Sequence, residues 1–116
     1  MTENLPGARA LYEEAIALDE ARLAENPNSS EARMDLSFSV GSLGSLAVDS
    51  GDLALGRALY TRALALRQEV ASSDPANAWA RRGVARAHER LADIEARLGH
   101  REAAEAHRLK AKPPAG

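Results

Sequence analysis

No cysteine occurs anywhere in the 116 residues, which excludes disulfides, thiolate metal sites and cysteine nucleophiles. Aromatic residues are nearly as scarce, one Trp, one Phe and two Tyr: too few to stack a run of single-stranded bases and poor material for a sheet, whose strands favour aromatic and β-branched side chains. The longest uncharged stretch in the helical region, LSFSVGSLGSLAV at 36–48, is serine-rich and far short of the roughly 20 apolar residues of a membrane span. The opening MTENLPGARA has no basic segment followed by an apolar run, so it does not read as a signal peptide. These absences point to a soluble, cytoplasmic chain, in which the sequon Asn28-Ser29-Ser30 is a chance match.

Recognisable catalytic signatures are missing too. His88, His100 and His107 are the only imidazoles, and none has another His, Asp or Glu four residues away, as a compact metal site on one helix wants. They are expected at the surface or its boundary. No serine stands between glycines in the manner of a nucleophile elbow, and no glycine-rich loop with a lysine follows a strand. The reading is of a non-enzymatic protein with no cofactor, no metal and no catalytic residue.

What is present is 45% hydrophobic and dominated by Ala, Leu, Arg and Glu, all strong helix formers, so the expected class is all-α. The length suits a single domain. The net charge of -2 conceals an asymmetry: residues 1–55 hold 10 acids and 3 bases, residues 56–116 hold 7 acids and 12 bases. Such halves could associate head to tail or attract an acidic partner, although a solvated helix face has the same composition.

The chain also repeats itself. RALYEEAIAL at 9–18 returns as RALYTRALAL at 57–66, and at the same offset of 48 Pro27 meets Pro75, Ala32-Arg33 meets Ala80-Arg81, Leu43 meets Leu91 and Gly51 meets Gly99. A fixed period of this size marks stacked units that cannot bury an apolar face alone. Asn26-Pro27 and Asp74-Pro75 read as helix starts, and Gly51 and Gly99 as left-handed helix ends. Helices are therefore expected at 7–25, 29–50, 53–72, 77–98 and, shorter, 101–111, in one domain over 1–111 with a disordered tail at 112–116.

Periodicity assigns their faces. Ala80, Val84, Ala87, Leu91, Ile94 and Leu98 form one apolar stripe, and Ala32, Leu36, Leu43 and Leu46 form its counterpart. The helix at 53–72 carries two stripes, Leu59, Ala63, Leu66, Val70 and Tyr60, Leu64; the first helix is expected to match with Leu11, Ala15, Leu18 and Tyr12, Ile16. Two buried faces belong inside a stack. Gly41, Gly44 and the surrounding serines are costly in a helix interior, about 1 kcal/mol per glycine, and point to close approach of a neighbouring helix or, alternatively, to a helix kept locally soft for binding.

With Leu43, Gly44, Gly51, Gly56, Tyr60 and Ala63, then Leu91, Ala92, Gly99, Ala104 and Ala111, the chain resembles a tetratricopeptide repeat array: a Leu and a small residue, a glycine at the turn, then a small residue, an aromatic and an Ala. Arg108 stands where the second aromatic is expected. The family's usual unit is shorter by about 14 residues, four helical turns; two turns added to each helix preserve every facing. Phrases such as ALALRQEVASSDPANAWARRG look like the long-helix bacterial repeats appended to signalling proteins. The resemblance implies antiparallel helix-turn-helix units, an array beginning with the second helix of a unit, and binding of a peptide or helix of another protein.

The same resemblance makes the helices at 29–50 and 77–98 the lining of a concave groove. At 100° per residue, the faces opposite their core stripes hold Glu31, Met34, Phe38, Gly41, Ser45 and Asp49 on one and Trp79, Arg82, Arg86, Glu89, Asp93 and Arg97 on the other. Met34, Phe38, Ser45, Asp49, Trp79, Arg82, Arg86, Glu89, Asp93 and Arg97 are thus the candidate partner-binding residues, for a ligand that is acidic and amphipathic. Met34, Phe38 and Trp79 could equally pack against an adjacent helix. The arginines from Arg81 to Arg97 alternate with Glu89, Asp93 and Glu95, and Asp93 can pair with Arg97, which argues for a solvated face rather than a nucleic-acid surface. Self-association through open array ends is the competing reading.

Overall fold

The computed structural model describes residues 5–112, which form five helices and no strand: α1 Leu5–Glu25, α2 Ser30–Asp49, α3 Leu53–Ser73, α4 Ala78–Arg97 and α5 Arg101–Ala111. The protein is all-α, built of helix-turn-helix units. All five expected helices are present with ends close to those expected. Of the tail expected to be disordered, only Lys112 lies within the described residues, and its backbone is extended.

The turns at 26–29 and 74–77 differ from the sequence expectation. The helix caps are Ser29 and Asn77, whose side chains accept from the amides of Ala32 at 3.0 Å and Ala80 at 3.1 Å. Asn26 and Asp74 open β-turns instead: their carbonyls accept from the amides of Ser29 and Asn77, both at 2.9 Å. Pro27 and Pro75 then occupy the second turn position, where their fixed φ fits. The shorter turns do conform to expectation. Gly51 and Gly99 have φ of 88° and 82°, and the amides of Asp52 and His100 reach back to the carbonyls of Ala47 and Glu95, both at 2.8 Å, in a Schellman pattern.

Each helix folds back on the one before, and α2 also touches α4. The double-striped α3 lies in the middle. Its Ala63 joins Ile16, Leu36, Val40 and Leu43, while its Tyr60 and Leu64 join Ala87, Leu91 and Ile94. A third cluster, Met34, Val70 and Ala80, ties α2, α3 and α4 together. Gly44 permits a close approach of α3: a Cβ there would stand 3.1 Å from the Tyr60 ring and 3.3 Å from Leu59 Cβ. The helix-weakening glycine is the condition for seating the aromatic.

In α1 only one of the two expected stripes is buried. Tyr12, Ile16 and Leu23 pack inward, whereas Leu11 and Leu18 are 67% and 63% exposed. Periodicity identifies an apolar face but does not supply a neighbour for it.

One histidine corrects the sequence reading, whereas His100 is exposed and His107 half-buried as expected. His88 is buried, and its Nδ1 lies 2.9 Å from Nδ1 of His107 on α5, so one ring donates to the other. By the repeat of 48 these rings replace Val40 and Leu59. Both are held below the ordinary imidazole pKa: His88 by burial, then by His107 and Lys110; His107 by burial, with Glu95 opposing and Lys110 adding. A base depressed in the folded state takes up more protons when unfolded, so stability is fully present above the unfolded pKa of about 6.5 and falls as pH drops through it. Thermal melts should therefore show a loss between pH 7.5 and 5.5 that is smaller in a His88→Val, His107→Leu double variant. Equal losses in the two proteins would dissociate the pair from the effect.

Candidate functional site

The groove between α2 and α4 is organised by a residue of α3 that was not among the candidates. Arg67 is only 3% exposed. Its Nε donates to Ser37 Oγ at 3.0 Å, Nη1 to the Gly83 carbonyl at 2.9 Å and Nη2 to the Ser37 carbonyl at 3.5 Å. Ser37 Oγ in turn donates to the Met34 carbonyl at 2.7 Å. The guanidinium lies over the Phe38 ring, 4.5 Å from its centroid, a cation–π contact. Gly83 permits this course, since a Cβ there would come within 2.9 Å of Arg67 Cδ.

Every contact that holds Arg67 is neutral. Burial pushes its guanidinium below the ordinary arginine value, Tyr60 opposes that shift, and the like charge of Arg86 adds to it. Arginine nevertheless stays protonated, so a cation sits buried without a carboxylate. Isolated buried charge is costly, and buried arginines ordinarily have an anionic partner. Here the nearest charged company is cationic. Arg67 opens onto a cavity of about 280 Å³ lined also by Phe38, Gly41, Ser42, Ser45, Tyr60, Arg86 and Arg90. Neither Arg86 nor Arg90 forms an ion pair among the described residues, although other arginines of the chain do.

The Phe38 ring lines one end of this cavity, and Trp79 is stacked on that ring. Phe38 on α2 stacks against Trp79 on α4 with centroids 5.6 Å apart and planes 18° from parallel. At the other end the Ser45 and Tyr60 hydroxyls are hydrogen-bonded to one another. Both continue into a smaller recess shared with Asp49, Arg90, Asp93 and Arg97. The groove is therefore graded: an aromatic wall, a three-arginine middle, and a mixed-charge end.

Against the ten candidates, the structure brings Phe38, Ser45, Asp49, Arg86, Asp93 and Arg97 along this one groove, and Trp79 reaches it only through its stack on Phe38. Met34 does not line it. It is fully buried in the cluster with Val70 and Ala80, because α3 packs beneath α2 at that level. Phe38 is half-buried and packs on the same cluster, so it belongs both to the core edge and to the groove. Arg82 borders a different hollow, with Arg81 and Lys110, and Glu89 lines a third with Arg108 and Lys112. Asp93 and Arg97 share the recess without the expected ion pair. Arg67, Tyr60 and Arg90 are the groove residues that face arithmetic on α2 and α4 overlooked. Arg67 did carry a signal, since Tyr60, Leu64 and Arg67 continue one stripe of α3 at steps of four and three.

Among the described residues no three His, Asp or Glu side chains converge as metal ligands, and no helix is long and apolar enough to cross a membrane. No family model matches the chain, and neither the curated proteins nor the solved structures give a match.

Proposed function

We propose that the chain is a protein-interaction module of the tetratricopeptide-repeat kind, which receives an acidic segment of another protein in the groove between α2 and α4. The observation that carries this reading is Arg67, a buried cation with no counter-charge that opens onto a cavity walled by two further unpaired arginines. A carboxylate entering there would gain charge-assisted hydrogen bonds in a partly desolvated setting, where they are strongest. It would also relieve the repulsion between Arg67 and Arg86. The Phe38–Trp79 wall offers an apolar side chain of the same segment a flat surface beside that carboxylate. No bond chemistry and no cofactor are involved.

Capture of partners from the organism that makes the protein tests the reading. Immobilised wild type and an Arg86→Ala, Arg90→Ala variant should both melt cooperatively, since these side chains are exposed. Proteins retained by the former should be absent from the latter, and high salt should release them from the former. Identical retained sets would remove the groove from the interaction.

The exposed Leu11 and Leu18 on α1 favour a second reading, self-association through an open end of the stack. It requires an apparent mass by light scattering that rises with concentration in wild type and is fixed in a Leu11→Gln, Leu18→Gln variant.

A further inference from the structure

The internal repeat, carried from sequence into three dimensions, exposes a second docking surface on the other side of α4. In the first unit the latter half of α3, residues 64–73, seats against α1 and α2. Leu66 packs on the cluster that includes Leu36 and Leu23, Glu69 pairs with Arg33 at 3.1 Å, and Arg62 pairs with Glu20 at 2.6 Å. Adding 48 to the residues of that seat gives Val84 for Leu36, Ala71 for Leu23, Arg81 for Arg33 and Gln68 for Glu20, and Lys110 stands for Arg62, which lies on α3 just before the half-helix. All five line one open hollow of about 510 Å³, together with Ala78, Arg82 and Lys112.

The hollow exists because α5, the counterpart of α3, ends at Ala111, the position that matches Ala63. Lys112 is already extended, as a residue that precedes a proline in the sequence is. Among the described residues the second unit thus has the seat but not the half-helix that fills it. Its floor is Ala71, Val84 and Ala85, and its rim carries Arg81, Arg82, Lys110 and Lys112, none of which has an ion-pair partner among the described residues.

We infer that this seat receives an amphipathic, acidic helix of about three turns from a partner protein, lying in line with α5. Its chemistry follows from the residues it replaces. An apolar side chain takes the place of Leu66 on Val84, a carboxylate takes the place of Glu69 on Arg81, and further carboxylates meet Arg82, Lys110 and Lys112. A second copy of the chain does not meet the requirement. Its α1 carries the matching stripe, Leu11, Ala15 and Leu18, but with Leu18 in the position of Leu66 the preceding turns of α1 would run into α5.

The test uses a fluorescein-labelled synthetic helical peptide with leucines at i, i+3 and i+7 flanked by glutamates, and a scrambled peptide of equal composition that cannot form the stripe. Fluorescence anisotropy with the whole chain should show binding of the first and at least tenfold weaker binding of the second. An Arg81→Glu, Lys110→Glu variant, checked for an unchanged melt, should bind the striped peptide at least tenfold more weakly than wild type. In the Arg86→Ala, Arg90→Ala background, where the α2–α4 groove is disabled, the striped peptide should still bind, and adding Arg81→Glu, Lys110→Glu should remove that binding. The inference is overturned if neither peptide binds, if both bind equally, or if the α2–α4 groove variant is the one that loses binding. It is equally overturned if wild type self-associates in sedimentation and the Arg81→Glu, Lys110→Glu variant does not, which would give the seat to a second copy.

Discussion

Arg67→Met should abolish capture of an acidic partner while leaving the helical content unchanged. Methionine occupies a similar volume and flexes to fit, so the space between Phe38, Ser37 and Gly83 stays filled. The carbonyls of Gly83 and Ser37 lose their donor, which costs about 1 to 3 kcal/mol of stability where such a group is buried. That loss is offset in part because the buried charge disappears with its desolvation penalty. Binding has no such compensation. Removing one member of a buried, hydrogen-bonded charge pair costs about 2 to 5 kcal/mol of affinity, at least a thirtyfold change in Kd. Arg67→Lys separates charge from geometry: a compact ammonium cannot reach both Ser37 and Gly83 and still present donors to a ligand, so it should recover only part of the affinity. Circular dichroism and calorimetric titration with the captured partner read the two effects separately. Undiminished binding by Arg67→Met would make the arginine a purely structural element.

Leu91→Ala carries the largest expected cost to folding. Leu91 is 2% exposed, in the cluster with Tyr60, Leu64, Ala87 and Ile94. Truncating such a leucine removes its transfer free energy and leaves a cavity, about 2 to 5 kcal/mol together. Leu11→Ala, at a face open to solvent, should stay within about 0.5 kcal/mol. Phe38→Ala falls between them. Half-buried between Trp79 and Arg67, it gives up a stacking contact and a cation–π contact, so it cannot be the stability-neutral probe that a wholly exposed groove residue would be. Urea unfolding of the three variants orders them. A Leu91→Ala midpoint near that of Leu11→Ala would contradict the packing of α4 on α3.

The periodicities carried the architecture a long way. The stripes at Leu36–Leu46 and Ala80–Leu98 and the double face of α3 all depend on the 3.6-residue turn, and that is local information. The close approach of Tyr60 was foreshadowed by Gly44, an otherwise unfavourable choice in a helix. The site was less legible because it depends on which helix lies beneath which. A wheel drawn for α2 puts Met34 and Phe38 side by side, yet α3 passes under the first and leaves the second at the edge. Arg67 escaped notice for the converse reason: an arginine among Arg, Gln and Glu on a helix surface looks solvated until Ser37 and Gly83 are known to face it. The His88–His107 contact spans two helices and leaves no mark in the spacing along either one.

Trp79 is the only tryptophan of the chain, 40% exposed and stacked on Phe38, whose other neighbour is the Arg67 guanidinium. The protein therefore contains its own optical reporter, stacked on the ring that lines the groove. Excited indole emission shifts with local polarity and nearby charge, and a carboxylate settling on Arg67 alters both for a ring one stacking distance away. Native emission, excited selectively over the two tyrosines, would follow occupancy without any label, and a Phe38→Leu chain would uncouple the signal from the event it reports.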